Sequence, residues 1–149
     1  MGFVLNKKLS GISFDELAGQ LAIYDHQSRD EIDLHQGGPL EKIRGFVIHS
    51  PEYVKEDTVV IDDVVAISSS IEVIEDIAFG AGPEENIIAL GYASWSPKQL
   101  EDEIINNTWL VTEPSRDLIF RTKDEDKWQK AIEEIGIDVS RISARTGHA

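Results

Sequence analysis

The stretch Ile87-Ile88-Ala89-Leu90-Gly91-Tyr92 is a continuous apolar run of strand length. A strand with one face in water would alternate apolar and polar residues, and this run does not alternate. We therefore predict a strand that is covered on both faces. Because other predicted strands and helices are interleaved on either side of it, the run indicates an α/β fold.

Short apolar segments elsewhere in the chain are rich in β-branched residues and predict further strands. Asp62-Asp63 separates two of them and is typical of a tight hairpin turn. The predicted strands lie at residues 3–5, 32–34, 45–49, 58–61, 64–67, 87–92 and 109–111.

Helices are predicted from capping boxes, in which a serine or threonine is followed three residues later by glutamate or glutamine. Gly80 and Gly136 are expected to end the second and the last of these helices. The four boxes are Ser13 with Glu16, Ser69 with Glu72, Ser96 with Gln99, and Thr122 with Glu125.

The charge balance is the most unusual feature of the composition. The 149 residues include 28 acidic and 14 basic side chains, giving a formal net charge of −14. Such a field repels polyanions, so we expect no direct binding to nucleic acid and none to a membrane. The absence of cysteine excludes thiol catalysis and cysteine-based metal sites. An acidic chain without cysteine is typical of the cytoplasm, where we place this protein.

No catalytic or metal-binding motif emerges from the histidines and serines. His49 and Ser50 are neighbours on a predicted strand, so their side chains point to opposite faces and cannot form a pair. Ser94 does not lie in a glycine–serine–glycine elbow. We predict no metal and no cofactor, because no two histidines have helical ligand spacing among His26, His35, His49 and His148.

Gly37-Gly38-Pro39 is the most distinctive local feature and has two interpretations. Consecutive glycines with positive φ can form a nest of amide groups that binds an anion. Alternatively, they form a tight turn that lets neighbouring elements approach closely. We favour the tight turn, because no phosphate-binding lysine or dinucleotide fingerprint accompanies the glycines.

Several blocks of sequence, in this order and spacing, resemble the AlgH/YqgE family of bacterial proteins over essentially the whole chain. The blocks are Gly2-Phe3-Val4-Leu5-Asn6-Lys7, Gly37-Gly38-Pro39-Leu40, Arg44-Gly45-Phe46-Val47-Ile48-His49-Ser50-Pro51, Ala89-Leu90-Gly91-Tyr92-Ala93-Ser94-Trp95, Gln99-Leu100-Glu101, Trp109-Leu110 and Gly147-His148-Ala149. The resemblance implies an α+β fold, with a mixed or antiparallel sheet curled into a pseudo-barrel and flanked by helices. It also implies a genetic link to transcriptional control.

The resemblance further implies a few tens of residues before the Gly2 block in most members. We therefore expect residues 1–149 to form a single domain that lacks the family's usual N-terminal strands. The strand predicted at residues 3–5 would then expose unpaired backbone groups. Three outcomes are open: the edge is covered from within the chain, a second copy covers it, or the chain is only marginally stable. We favour a second copy of the chain, giving a homo-oligomer.

A ligand site is predicted where polar residues meet strand ends beside the glycine turn. Its residues are Asn6, Gly37, Gly38, Pro39, Arg44, His49, Ser94 and Trp95. Because no catalytic set is visible, we favour a cytosolic regulatory protein that binds a small molecule or a protein partner. The alternatives are a hydrolase-like enzyme with an unrecognised site, and a transcriptional regulator that acts without strong direct DNA binding.

Overall fold

The structure is a computed structural model that describes residues 1–138. The chain is organised as two compact units, Met1–Ser94 and a second that begins at Trp95, and each is described by itself. The block at 147–149, with His148, lies outside the described residues. One domain over residues 1–149 stays a prediction.

The first unit combines two helices with a sheet of five strands. In chain order its elements are α1 (Phe14–Gln20), β1 (Leu34–Gln36), β2 (Leu40–His49), β3 (Val59–Val60), β4 (Ala66–Ser68), α2 (Ile71–Ala78) and β5 (Asn86–Tyr92). The strand order is β1-β5-β2-β4-β3, in which β1 and β5 are parallel and the other pairs antiparallel. The predicted mixed α/β fold with a mixed sheet is confirmed. The sheet is not closed into the expected pseudo-barrel but is open, with β1 and β3 at its edges.

The strand β5 confirms the interpretation of the apolar run. Residues 87–91 are all buried, and β5 lies between β1 and β2 in the sheet. Its partners cover both of its hydrogen-bonding edges, while residues of the two faces are removed from water. A position buried on both faces explains why the sequence does not alternate.

One apolar core lies between the two helices and one face of the sheet. It joins residues from both helices with Leu34, Val47 and Ile88 of three strands. The helical members are Phe14, Leu17 and Ala18 from α1 and Val73, Ile74, Ile77 and Ala78 from α2. On β2, alternate residues such as Phe46 turn away from this core, and the Phe46 ring packs against Phe3 and Tyr92.

The first nine residues form no strand, so the strand predicted at residues 3–5 is wrong. The segment instead makes two isolated bridges, Gly2 with Ala93 and Lys8 with His35. The Val4 N–H donates to the Gly37 carbonyl at 2.8 Å, and the Leu9 N–H donates to the Leu34 carbonyl at 2.7 Å. The N-terminal segment thus covers the outer edge of β1 from within the chain. A homo-oligomer stays a prediction, but the reason given for it, an exposed strand at residues 3–5, does not hold.

The remaining strands of the first unit differ from the prediction mainly at their ends. The segment predicted at 45–49 lies inside the longer β2, and the others are displaced by one or two residues. The turn at Asp62 is confirmed, since its Oδ1 accepts hydrogen bonds from the Val64 and Val65 N–H groups at 2.7 and 2.8 Å.

The second unit is helical in its described part, with α3 (Gln99–Ile105), a π-helical segment (Asp117–Arg121) and α4 (Asp124–Glu134). The strand predicted at 109–111 is absent there. Trp109 and Trp128 are 47% and 54% exposed, and the Trp109 ring meets the Trp95 ring edge-on at 6.0 Å. The Glu103 carboxylate accepts hydrogen bonds from the indole groups of Trp95 and Trp109 and from Gln99.

Candidate functional site

A cavity of about 80 Å³ lies between α1, α2 and the sheet of the first unit. Most of its lining is apolar, and three consecutive serines form its polar end. The lining residues are Leu17, Leu21, Ile43, Gly45, Val47, Ser68, Ser69, Ser70, Ile71, Ile74 and Leu90. We call this space the serine cavity. An apolar recess with a few polar groups at one end is the usual form of a small-molecule site.

The floor of the serine cavity is open at Gly45 because glycine has no side chain. A Cβ added at this position would meet Leu90 Cδ2 at 3.7 Å, an ordinary van der Waals distance, and nothing closer. The rim includes two apolar side chains that remain exposed, Ile43 at 95% and Ile71 at 55%. The space therefore arises where β2 lacks a side chain below the start of α2.

Behind the polar end, Ser68 takes part in a chain of hydrogen bonds that includes a buried histidine. The Ser68 hydroxyl lies 2.9 Å from His49 Nε2 and 2.7 Å from the Thr58 hydroxyl. His49 Nδ1 lies 2.9 Å from the Ser50 carbonyl oxygen, and the Lys55 N–H donates to the Thr58 hydroxyl at 2.9 Å. Both His49 and Ser68 are fully buried by the protein, at 0% and 1% exposure.

The chemistry of the groups fixes the direction of these hydrogen bonds. A carbonyl oxygen can only accept, so Nδ1 of the neutral His49 ring carries the hydrogen and Nε2 is the acceptor. Ser68 therefore donates its hydroxyl hydrogen to His49. Since that hydrogen is used, the hydroxyl of Thr58 is the donor in its bond to Ser68. These two bonds use the hydrogen and one lone pair of the Ser68 oxygen, and Ser68 lines the serine cavity.

A second group of charged and aromatic side chains packs against the other side of His49. The Tyr53 ring meets the His49 ring edge-on at 5.5 Å, and its hydroxyl donates to Asp76 at 2.7 Å. The Lys55 ammonium lies 2.9 Å from Glu72 and 3.0 Å from Asp76. Burial, followed by the bond to Asp76, raises the pKa of Tyr53, while the bond from Tyr53 lowers the pKa of Asp76. Tyr53 therefore stays neutral and holds the histidine in place.

The Asp57 carboxylate lies at the start of α2 and places a negative charge at the polar end of the serine cavity. Its Oδ2 accepts hydrogen bonds from the Ser69 and Ser70 N–H groups at 2.7 and 2.8 Å. Its Oδ1 accepts the Ser70 hydroxyl at 3.0 Å. The backbone donors that would otherwise attract an anion are thus already used by a carboxylate. The serine cavity therefore presents neutral hydroxyl groups to a ligand.

None of the eight residues of the predicted ligand site lines the serine cavity. Gly45 and Val47 line the serine cavity, whereas the Arg44 guanidinium lies over the Phe46 ring at 5.0 Å on the opposite face of β2. Arg44 also pairs with Glu41 at 3.1 Å. His49 is buried within the hydrogen-bond chain described above.

The other predicted site residues lie elsewhere. Asn6 and Ser94 are exposed, Pro39 follows the glycine pair at the surface, and Trp95 belongs to the second unit. A ligand-binding role for each of these residues stays a prediction.

Gly37 and Gly38 act through close contact with the chain at the end of β5. A Cβ on Gly37 would lie 2.3 Å from the Gly91 carbonyl oxygen, and one on Gly38 would lie 2.1 Å from the Tyr92 carbonyl carbon. Neither glycine has the positive φ that an anion nest requires. The geometry favours the close-approach interpretation over the nest.

Sequence reasoning missed Ser68 and Thr58, because it paired His49 only with the adjacent Ser50. The proximity of His49 and Ser68 follows from the register of β2 with β4. His49 is opposite Ala66 in β4, so Ser68 is its diagonal neighbour, two residues further along the same face. The run Ser68-Ser69-Ser70 before a helix was visible in the sequence, but its partner required the pairing of β2 with β4.

Two further properties concern the part of the chain that the structure describes. Within residues 1–138, no three histidine or carboxylate side chains converge to hold a metal ion. No helix in this range is both long and apolar enough to cross a membrane.

The open mixed sheet, the two helices on one face and the cavity at the start of α2 define a small mixed α/β protein. The chain belongs to the AlgH-like family, whose model matches residues 1–140.

Relatives and solved structures agree with this assignment. A UPF0301 protein of Rhodospirillum rubrum is 41% identical over 149 residues, a match that covers 100% of this chain and 78% of the relative. A UPF0301 protein of Jannaschia is 40% identical, with 100% and 79% covered. The solution structure of AlgH from Pseudomonas aeruginosa has a TM-score of 0.78 at 34% identity and covers 100% of this chain and 79% of that one.

A crystal structure from Corynebacterium diphtheriae, the protein DIP2367, shares the fold alone. Its TM-score is 0.64 at 15% identity, over 88% of this chain and 68% of that one. The names of these four proteins state no reaction and no ligand.

Proposed function

We propose that this protein binds a small, uncharged, mostly apolar molecule in the serine cavity. The observation that carries the proposal is the division of the lining into an apolar body and one end made of Ser68, Ser69 and Ser70. Such a site favours a ligand with a short hydrocarbon part and one hydrogen-bonding group, such as an alcohol, a ketone or an ester.

The charges around the cavity support an uncharged ligand. Asp57 already holds the amide groups of Ser69 and Ser70, so a carboxylate or phosphate would meet a negative charge at the polar end. The net charge of −14 adds a long-range repulsion of anions. A cationic group would lose its hydration among the apolar side chains that form most of the lining.

If the protein binds such a molecule, a regulatory role fits the family better than a catalytic one. The cavity lies where α2 meets the sheet, so a bound molecule would contact both Ile74 of the helix and Val47 of β2. A ligand that binds the folded chain stabilises it by mass action, and the apolar rim at Ile43 and Ile71 would be covered at the same time. Binding would thus change the exposed surface of the protein, and this change would signal that the small molecule is present.

Nuclear magnetic resonance with 1-butanol as the probe tests this proposal. We expect saturable shifts of the methyl signals of Leu17, Ile71 and Ile74, which line the cavity. The variant Gly45→Val should abolish these shifts, because it places an isopropyl group in the space below α2. Gly19→Val is the matched control, since a Cβ at Gly19 meets nothing within 4 Å.

Two results would contradict the proposal. One is the absence of saturable shifts in the unaltered protein at any soluble butanol concentration. The other is an undiminished response in Gly45→Val, which would place the alcohol elsewhere.

A further inference from the structure

The bond between Ser68 and His49 has the polarity that a reactive serine requires. The Ser68 hydroxyl donates to Nε2 of the neutral ring at 2.9 Å, and Nδ1 is held by the Ser50 carbonyl at 2.9 Å. A nucleophile, a base within hydrogen-bond reach and a third group that orients the base form the general pattern of nucleophilic catalysis. Ser68 also lines the serine cavity, the space where a ligand would sit.

We propose that Ser68 is a nucleophile that accepts the acyl group of a small, uncharged, short-chain ester bound in the serine cavity. The inference rests on the proposed function, because it takes the ester to be the ligand. The polar end provides the alignment: the ester carbonyl lies beside Ser68 while the acyl chain lies against Val47 and Ile74.

The acyl transfer conserves atoms and charge. Ser68 Oγ forms a bond to the ester carbonyl carbon while its proton moves to His49 Nε2. The tetrahedral intermediate then breaks its bond to the alkoxy group, which leaves with the proton from His49. The products are an ester of Ser68 and a free alcohol, and water releases the acid by the same steps. The Ser50 carbonyl, bonded to Nδ1–H, stabilises the imidazolium that forms between the two steps.

The structure also limits how fast this reaction can be. The backbone N–H groups of Ser69 and Ser70 donate to Asp57, so they do not form an oxyanion hole. Loss of one such donor costs about 10²- to 10³-fold in rate. Thr58 donates to the Ser68 oxygen and uses one of its lone pairs. We therefore expect slow acylation by activated esters.

Treatment with p-nitrophenyl acetate, read by intact mass and by peptide mapping, tests the inference. The unaltered protein should gain one acetyl group, and the mapped peptide should carry it on Ser68. Mapping of the unaltered protein does not depend on the folding of any variant. Acetylation found at other residues and not at Ser68 would overturn the proposal.

Three variants sharpen the test, with a thermal melt recorded for each. Ser68→Ala should abolish the labelling, and His49→Gln should slow it about 100-fold or more through loss of the base. Ser10→Ala removes an exposed serine hydroxyl that does not line the cavity, and its labelling rate should be unchanged. A folded His49→Gln protein that reacts as fast as the unaltered chain would overturn the role of the histidine.

The butanol titration separates failure of this inference from failure of the proposed function. Methyl shifts with butanol, but no acetyl group on Ser68, would overturn the inference and leave ligand binding intact. If neither shifts nor acetylation occur, both proposals are wrong.

Discussion

At the scale of single residues, Gly38 occupies a position that no other amino acid fits. Its backbone lies so close to β5 that an added Cβ would be 2.1 Å from the Tyr92 carbonyl carbon and 2.5 Å from the Ala93 nitrogen. Both are backbone atoms, which cannot rotate away as a side chain would. The requirement is therefore steric, since Gly38 does not have positive φ.

Gly38→Ala is expected to destabilise the protein by about 2 to 3 kcal/mol, the usual cost of overpacking a rigid site. Gly19→Ala adds the same methyl group to the exposed side of α1, where nothing lies within 4 Å. We expect this control to gain about 0.5 to 1 kcal/mol from helix propensity. Urea denaturation of both variants measures the difference. Equal free energies of unfolding for the two variants would show that the backbone at Tyr92 moves easily to accept a Cβ at position 38.

At the scale of elements, the helix starts show what local sequence determines. Ser13 and Glu16 form the predicted capping box of α1, with both reciprocal hydrogen bonds present. The box predicted for Ser69 and Glu72 is wrong: α2 begins at Ile71, and its N-cap Ser70 makes no side-chain bond to the first turn.

The reason for the failure at α2 is a competitor that is remote in sequence. Asp57 accepts the N–H groups of Ser69 and Ser70 from a loop 12 and 13 residues away. A capping motif predicts a partner three residues distant, so it cannot detect such a carboxylate. The pair of His49 and Ser68 was missed for the same reason: the two residues are 19 positions apart in sequence, and only the pairing of β2 with β4 brings them together.

The helix ends were predicted better, because a glycine acts through its own backbone. Gly80 and Gly136 follow the C-caps of α2 and α4, and both have positive φ, at 76° and 83°. The starts of α3 and α4 lie at Gln99 and Asp124, so the boxes predicted at Ser96 and Thr122 are wrong in detail. Ser96 keeps one half of its box, since the Ser96 N–H donates to Gln99 at 2.9 Å.

Asp57 should make the stability of the first unit depend on pH. Burial raises the pKa of Asp57, but hydrogen bonds from Ser69 and Ser70 outweigh it and hold the pKa below its ordinary value of 3.8. A lowered folded pKa gives stability that is fully present above 3.8 and is lost as pH falls through the folded pKa. The contribution is therefore constant near neutral pH and disappears in acid.

Urea denaturation of Asp57→Asn at several pH values checks this prediction. We expect a loss of about 0.5 to 1 kcal/mol at neutral pH, from the missing charge at the start of α2. The difference from the unaltered chain should vanish below the folded pKa. Asp63→Asn, at the exposed turn between β3 and β4, changes the net charge equally and serves as the control. A constant difference down to strongly acidic pH would contradict the assignment.

At the scale of the whole molecule, net charge is the property that bears on the regulatory alternative. A formal charge of −14 opposes close approach to phosphate groups, so we expect any role in transcription to act through something other than DNA contact.

We expect binding to duplex DNA no tighter than ~10⁻⁴ M at about 100 mM salt, the weak end of non-specific association. Fluorescence anisotropy with a labelled duplex measures it, and a basic DNA-binding protein provides the positive control. Micromolar affinity for a promoter fragment would favour direct transcriptional regulation instead.

The position of β5 in the strand order has a consequence for the protein as it is being made. β5 is the last strand of the sheet along the chain, yet it lies between β1 and β2. Until the ribosome has added Tyr92, β1 has no neighbour in the sheet, and the edge of β2 that will receive β5 stays bare. At ~5 to 20 residues per second, the interval between completion of β2 and of β5 is roughly 2 to 9 seconds. During synthesis, this unpaired edge of β2 is the part of the sheet that a chaperone would most need to cover.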